Sequence, residues 1–227
     1  TDVGKVRANN QDAPIVSEKL RLYGVADGMG GHKGGEVAST SARDDLLREL
    51  DGKTPSVAAL SGAIEEVNRQ IYHQQEHDDA LTGMGTTLVA AFLSRDLAVI
   101  INVGDSRAYH FTREDVSLVT RDHSRVAYMV ERGELTQEQA KLHPGKNVIT
   151  RAVGTEPEVE GDVFICKLRK EECILLCSDG LSNEMADQEM LFEVVHGMSK
   201  SDCCQRLLHI AKKRGAPDNV TVALAAV

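Results

Sequence analysis

An α+β fold, with antiparallel strands and separately packed helices, is what this sequence predicts, and three observations carry the prediction. Val57, Leu60, Ile64, Val67 and Ile71 recur at helical spacing and describe one amphipathic helix running to about His77. The period then changes to that of strands, in the runs GMGTTLVAAFL, LAVIINVGDSRAYHF and DVSLVT. The turns at Ser94 to Asp96 and Thr112 to Asp115 are too short for crossover helices, so these runs pair as hairpins in an antiparallel sheet. That sheet is the expected partner of the helix's single apolar stripe.

In chain order, Thr1 to Arg7 alternates weakly and reads as a strand that delivers Arg7 to a polar turn, Asn9 to Asp12. Arg7 then either serves a ligand or pairs with Asp12 at the surface, where such pairs contribute little. A short strand follows around Ile15 and Val16. The apolar run Leu22, Tyr23, Val25 and Ala26 reads as a buried strand ending on Asp27, with a helix from about Val37 to Leu50 after it. Thr54-Pro55 is a good cap and first-turn pair for the long helix.

Beyond the hairpins, Asp122-His123-Ser124 opens a helical insert broken by Gly133, resumed at Thr136 and closed by the polar loop His143 to Asn147. Its apolar content is small, so the segment of about 124–149 is expected to be a flap on a single domain of 1–227. Val159 to Leu168 and Glu172 to Cys177 are strands. Helices follow from Ser182 or Asp187 through Val195 and from about Ser201 to Lys213, before a terminal strand from Val220 to Val227.

With 41% hydrophobic and 27% charged residues and no tryptophan, the composition suits a globular core of Val, Leu, Ile and Ala. The formal charge of −9 argues against nucleic acid as partner. It would also repel a phosphorylated substrate unless bound cations reversed the local sign. No apolar run reaches the ~18 residues of a membrane span, and no signal peptide is seen. The first residue is Thr1, so a few starting residues are expected to be missing. Cys166, Cys173, Cys177, Cys203 and Cys204 are odd in number and lack metal spacing, which fits free thiols in a reducing cytoplasm.

The chemistry centres on Arg21 to Glu36, RLYGVADGMGGHKGGE. Five glycines fall within the eight residues after Asp27, and such a turn lets backbone carbonyls approach a ligand closely. A dinucleotide fingerprint is also strand, glycine turn and helix, yet Asp27 would set a negative charge beside the pyrophosphate. A carboxylate with exposed glycine carbonyls supplies hard oxygen ligands for Mg²⁺ or Mn²⁺ instead. Asp105 at a glycine kink, Asp179 after the apolar run ECILLC, and Asp218 at the entrance of the last strand repeat the pattern. Like charges brought together require cations, and two ions sharing a water can drive attack on a phosphoryl group.

The motifs RANNQD, GVADGMGGH, GMGTT, VGDSRAY, RDHS, HPGKNVITRAVG, LLCSDGL and PDNVTV, in this order, resemble the bacterial branch of the metal-dependent PPM or PP2C-type serine/threonine protein phosphatases. The resemblance spans Thr1 to Val227. It implies a four-layer αββα sandwich, two central antiparallel sheets covered by helices, with metals in a cleft at one edge. It implies that Asp27 bridges two Mn²⁺ or Mg²⁺ ions, that Gly28 lends its carbonyl, and that Asp179 and Asp218 complete the shell. Asp105 with Asp179 would hold a third ion. Arg7 matches the arginine that clamps the substrate phosphate, and Asp12 would orient metal-bound water. The expected partners are phosphorylated proteins, a Ser/Thr kinase among them, met by a cytoplasmic monomer.

Two positions depart from the wider family. Gln11 stands where eukaryotic members have an acid, and Met29 where they have a histidine proposed as general acid. His32 is the nearest replacement, with His143 or a metal-bound water as alternatives. A non-catalytic phosphoprotein-binding module of the same fold would have lost metal aspartates, and all four are present. A dinucleotide oxidoreductase needs parallel βαβ units, and an aspartyl-phosphate phosphatase needs a DxD motif that the sequence lacks.

Overall fold

The structure, a computed structural model, describes residues 1–30 and 34–226. One sheet runs in the order β1 (Asp12–Ser17), β2 (Leu22–Met29), β4 (Leu88–Leu93), β5 (Leu97–Val103) and β8 (Asp162–Lys167), with β3 (Gly85–Thr86) extending β2. The other runs β10 (Val222–Ala226), β9 (Cys173–Cys177), β6 (Arg107–Phe111) and β7 (Val116–Leu118). Every pairing is antiparallel.

Helices α1 (Gly34–Leu50) and α2 (Val57–His77) cover the outer face of the first sheet, where Leu46, Leu60, Ile64 and Ile71 pack with Ile15, Leu88 and Ile101. In the inter-sheet layer Val25, Val89 and Ile100 meet Ile174, Leu176 and Ala223. On the far side α5 (Asp179–Ser182), α6 (Asp187–His196) and α7 (Lys200–Arg214) bury Leu181, Met190 and Leu207 on Tyr109, Leu175 and Val222. Three apolar layers between four structural layers make the αββα sandwich. Two short helices, α3 (Arg125–Glu131) and α4 (Gln137–Leu142), form the insert, the second opened by a Thr136–Gln139 capping box. No described helix is long and apolar enough to cross a membrane, and all five cysteines are free.

Four local expectations are corrected. Thr1 to Arg7 is not a strand: its one bridge is Asp2 with Val220, because its hydrogen bonds go to the chain's far end. Strand β2 runs through Asp27 to Met29, since β3 pairs with Gly28 and Met29. Ser56, not Thr54, caps α2, its side chain accepting from the Ala59 N–H. The hairpin series divides between two sheets, and the chain crosses from β5 to β6 at Gly104, whose φ of +106° suits glycine.

Candidate metal centre

The cleft lies where the first sheet's C-terminal end of β2 meets loops from the second. Antiparallel register sets Asp12 opposite Asp27 across β1 and β2. The β5–β6 crossing supplies Asp105, the start of α5 supplies Asp179, and the loop before β10 supplies Asp218. Asp27, Gly28, Asp105, Asp179, Asp218 and Arg7 all line one cleft of about 260 Å³, together with Gln11, Met29, Asn147 and Ile149. Carboxylates separated by nearly 200 residues of chain thus share one wall.

Each element is pinned by polar bonds. Asp27 N–H donates to Thr87 Oγ1 at 3.2 Å, and that hydroxyl lies 2.7 Å from Ser106 Oγ, beside Asp105. The Gly104 kink is held by His123 in both directions: Gly104 N–H donates to Nδ1 at 3.0 Å and the His123 N–H to the Gly104 carbonyl at 2.9 Å. A Cβ on Gly104 would stand 2.6 Å from the Thr87 side chain. At Gly28 a Cβ would meet Gly35 O at 2.0 Å and Gln11 O at 2.7 Å, so only glycine lets these backbones close over the floor of the cleft.

Asp12 is 7% exposed and lies behind Asp27. Its Oδ2 accepts from Ser178 Oγ at 2.8 Å, while Oδ1 is buried with no hydrogen-bond partner. The surface pairing of Arg7 with Asp12 is therefore wrong. Arg7 Nη2 donates instead to Asp218 Oδ2 at 2.7 Å. Among the described lining residues Arg7 is the one cation. The nearby Arg107 is committed to Asp122 through Nε and Nη2, at 3.0 and 2.7 Å.

This charge balance shows in the acids. Burial first, then Asp12, Asp179, Asp105 and Asp218, raises the Asp27 carboxyl well above its ordinary value. Burial and Asp179 push Asp105 up to about 7, and burial and Asp218 push Asp179 up to about 6. Burial also raises Asp12. Buried like charges of this kind call for cations. All the donors are oxygens, the choice of hard ions such as Mg²⁺ and Mn²⁺. Among the described residues no three His, Cys, Asp or Glu side chains close around one point. Small hard ions that keep several waters need only one or two carboxylates each, so the donor set fits them.

His32 lies outside the described residues. His143 does not line the cleft; its Nδ1 accepts from the Gly145 N–H at 3.0 Å. Thr87, Ser178, His123 and Asn219 were missed as site-forming residues. Each sits inside a quoted motif as a polar residue beside a strand, the one signal the sequence offers.

A family model described as protein phosphatase 2C matches residues 5–214. The serine/threonine phosphatase stp of Listeria innocua is 39% identical over 233 residues, covering 99% of this chain and 92% of that protein. PstP of Mycobacterium tuberculosis is 38% identical over 230 residues, covering all of this chain and 44% of PstP. Among solved structures, M. tuberculosis PstP superposes with a TM-score of 0.92 at 37% identity, covering 100% of this chain and 95% of that one. The PstP catalytic domain in complex with two manganese ions gives 0.87 at 35% identity, covering 98% and 94%. A match of this extent, on a chain whose acids meet in one cleft, places it plainly: it belongs to the protein phosphatase 2C family.

Proposed function

We propose that this chain is a protein serine/threonine phosphatase in which Asp27, Gly28, Asp105, Asp179 and Asp218 hold Mn²⁺ or Mg²⁺, two inner ions and a third. The observation that carries this reading is the convergence of Asp27, Asp105, Asp179, Asp218 and Arg7 on a single cleft. Divalent ions supply a nucleophile at neutral pH and neutralise the phosphoryl oxygens.

The protein's own groups supply the rest. Arg7 is 54% exposed in its side chain, on a wall of the cleft, and its planar fork suits two oxygens of a phosphomonoester. Asp12 does not line the cleft but sits across the β1–β2 pairing from Asp27, and its buried, unpartnered Oδ1 would accept from a water reaching it past Asp27. Met29 lines the cleft beside the Asp-Gly pair, and a thioether gives no proton, so His32 is the candidate donor to the leaving serine oxygen. The insert contributes Asn147 and Ile149 to the rim, which supports its reading as a flap. The substrates would be phosphoproteins, a Ser/Thr kinase among them, met by a monomer in the cytoplasm, where the five thiols stay reduced.

The test is phosphate release from a phosphothreonine peptide by purified protein supplied with Mn²⁺. Turnover that stops on chelation and returns on adding Mn²⁺ supports the reading. Tight binding of the phosphopeptide with no release under any metal would instead support the non-catalytic module.

A further inference from the structure

We infer that Asn219 is a positioning residue for substrate phosphate: it holds the loop that carries Arg7 in place against Asp218. The residue is 5% exposed and its side-chain amide ties three points of the N-terminal loop at once. Nδ2 donates to the Val3 carbonyl at 2.9 Å and to the Asn9 carbonyl at 3.0 Å, while Oδ1 accepts the Gln11 N–H at 2.8 Å. Two of these ties fall after Arg7 and one before it, so Asn219 closes the loop around the arginine.

The amide cannot be reversed. Turning it would set its oxygen against two carbonyls and its NH₂ against an N–H, so the bonds fix one orientation. The residue's own backbone N–H donates to Asp218 Oδ1 at 2.9 Å, and Asp218 Oδ2 takes the Arg7 guanidinium. One residue therefore sets both partners of the Arg7–Asp218 pair. The rest of the loop is laid along the same segment: Lys5 N–H donates to Ala216 O at 3.0 Å, and a Cβ on Gly4 would stand 2.2 Å from Asp218 O. Those contacts hold the loop's first half without Asn219. The end of its second half is also held, by the Gly28 N–H donating to Gln11 O at 3.0 Å and by Asn10 Nδ2 donating to Thr1 Oγ1 at 2.8 Å. Asn219 ties the two halves to each other across Arg7.

This inference rests on the reading of Arg7 as a phosphate-binding group, so the experiment carries Asn219→Ala, Arg7→Ala and the double variant together. The readouts are KM and kcat for p-nitrophenyl phosphate, inhibition by inorganic phosphate, and Mn²⁺ affinity by calorimetry. Asn219→Ala removes all three side-chain hydrogen bonds and is expected to raise KM and the phosphate inhibition constant roughly tenfold, with a smaller change in kcat. In the Arg7→Ala background it should add almost nothing, because the two act through one contact. Hydrogen exchange should quicken at residues 3–11 and not across the sheets.

Full additivity of the two substitutions would overturn the inference and leave Arg7 intact as the phosphate group. An unchanged KM and phosphate constant in Arg7→Ala would overturn both. If Asn219→Ala fails to fold, Asn219→Ser, which keeps a hydroxyl and less bulk, is read in the same cycle with the same criteria.

Discussion

Arg7 and Asp218 are joined by an ion pair, Nη2 to Oδ2 at 2.7 Å, across 211 positions of sequence. The arginine read as the phosphate clamp is thus bonded to an aspartate read as a metal ligand. On the reading proposed above, a cation held by Asp218 would compete with the guanidinium for the same carboxylate and leave it available to phosphate. Both side chains are partly exposed, so the pair is worth only ~0.2–1 kcal/mol. Arg7→Ala is expected to raise KM for phosphomonoesters while tightening Mn²⁺ binding by up to about fivefold, measured by calorimetry. Weaker Mn²⁺ binding in Arg7→Ala would show that the guanidinium supports the metal site rather than competing with it.

Asp27 faces four other carboxylates, Asp12, Asp179, Asp105 and Asp218, which together with burial raise its carboxyl well above its ordinary value. Asp27→Asn removes that charge. Turnover is expected to fall roughly a thousandfold or more, while the chelated protein melts at a higher temperature than wild type. Wild-type turnover in Asp27→Asn would contradict the assignment, and a lower melting point in the chelated state would contradict the electrostatics.

The same acids set a pH dependence. Asp105 at about 7 and Asp179 at about 6 lie above the ordinary 3.8, burial being the largest cause for each. The folded, metal-free protein therefore keeps protons that the unfolded chain has released. The stability these two groups confer is complete below about pH 4 and is lost as the pH rises through about 6 to 7. Melting of chelated protein should accordingly drop from about pH 5 to about pH 8, and saturating Mn²⁺ should remove or reverse the trend. A chelated melting point that rises across that window would contradict the account.

Gly28→Ala tests the backbone cradle. A Cβ 2.0 Å from Gly35 O forces a shift of β2 or the start of α1, with an expected loss of ~1–3 kcal/mol and of most turnover. Gly62→Ala is the control: nothing lies within 4 Å of its Cβ, and alanine in α2 should stabilise by ~0.5–1 kcal/mol. Equal effects of the two substitutions on turnover would remove Gly28 from the site.

What the sequence disclosed follows from how local each signal is. The α2 stripe and the β4–β5 hairpin depend on residues a few positions apart, and both appear where the pattern put them. The acids that line the cleft were legible because each stands at or near a strand end beside glycine, as Asp27, Asp105 and Asp179 do, or in a turn, as Asp218 does. The divided sheet was not legible, since β5 and β6 share one apolar period and only the φ of Gly104 turns the chain from one layer to the next. Thr1 to Arg7 was misread as a strand because its partners, residues 216–220, lie at the other end of the chain. The roles of Asn219 and the Arg7–Asp218 pair were hidden for the same reason.

The central claim is that these distant carboxylates hold divalent ions and that hydrolysis depends on those ions. Its most direct test is a Mn²⁺ titration of chelator-stripped protein, with bound metal counted by calorimetry and phosphate release followed in parallel. The account predicts no turnover in the stripped protein and activity that rises as the two inner ions bind. Full turnover without bound metal, or Mn²⁺ binding unchanged when Asp27, Asp179 and Asp218 are replaced together, would contradict it.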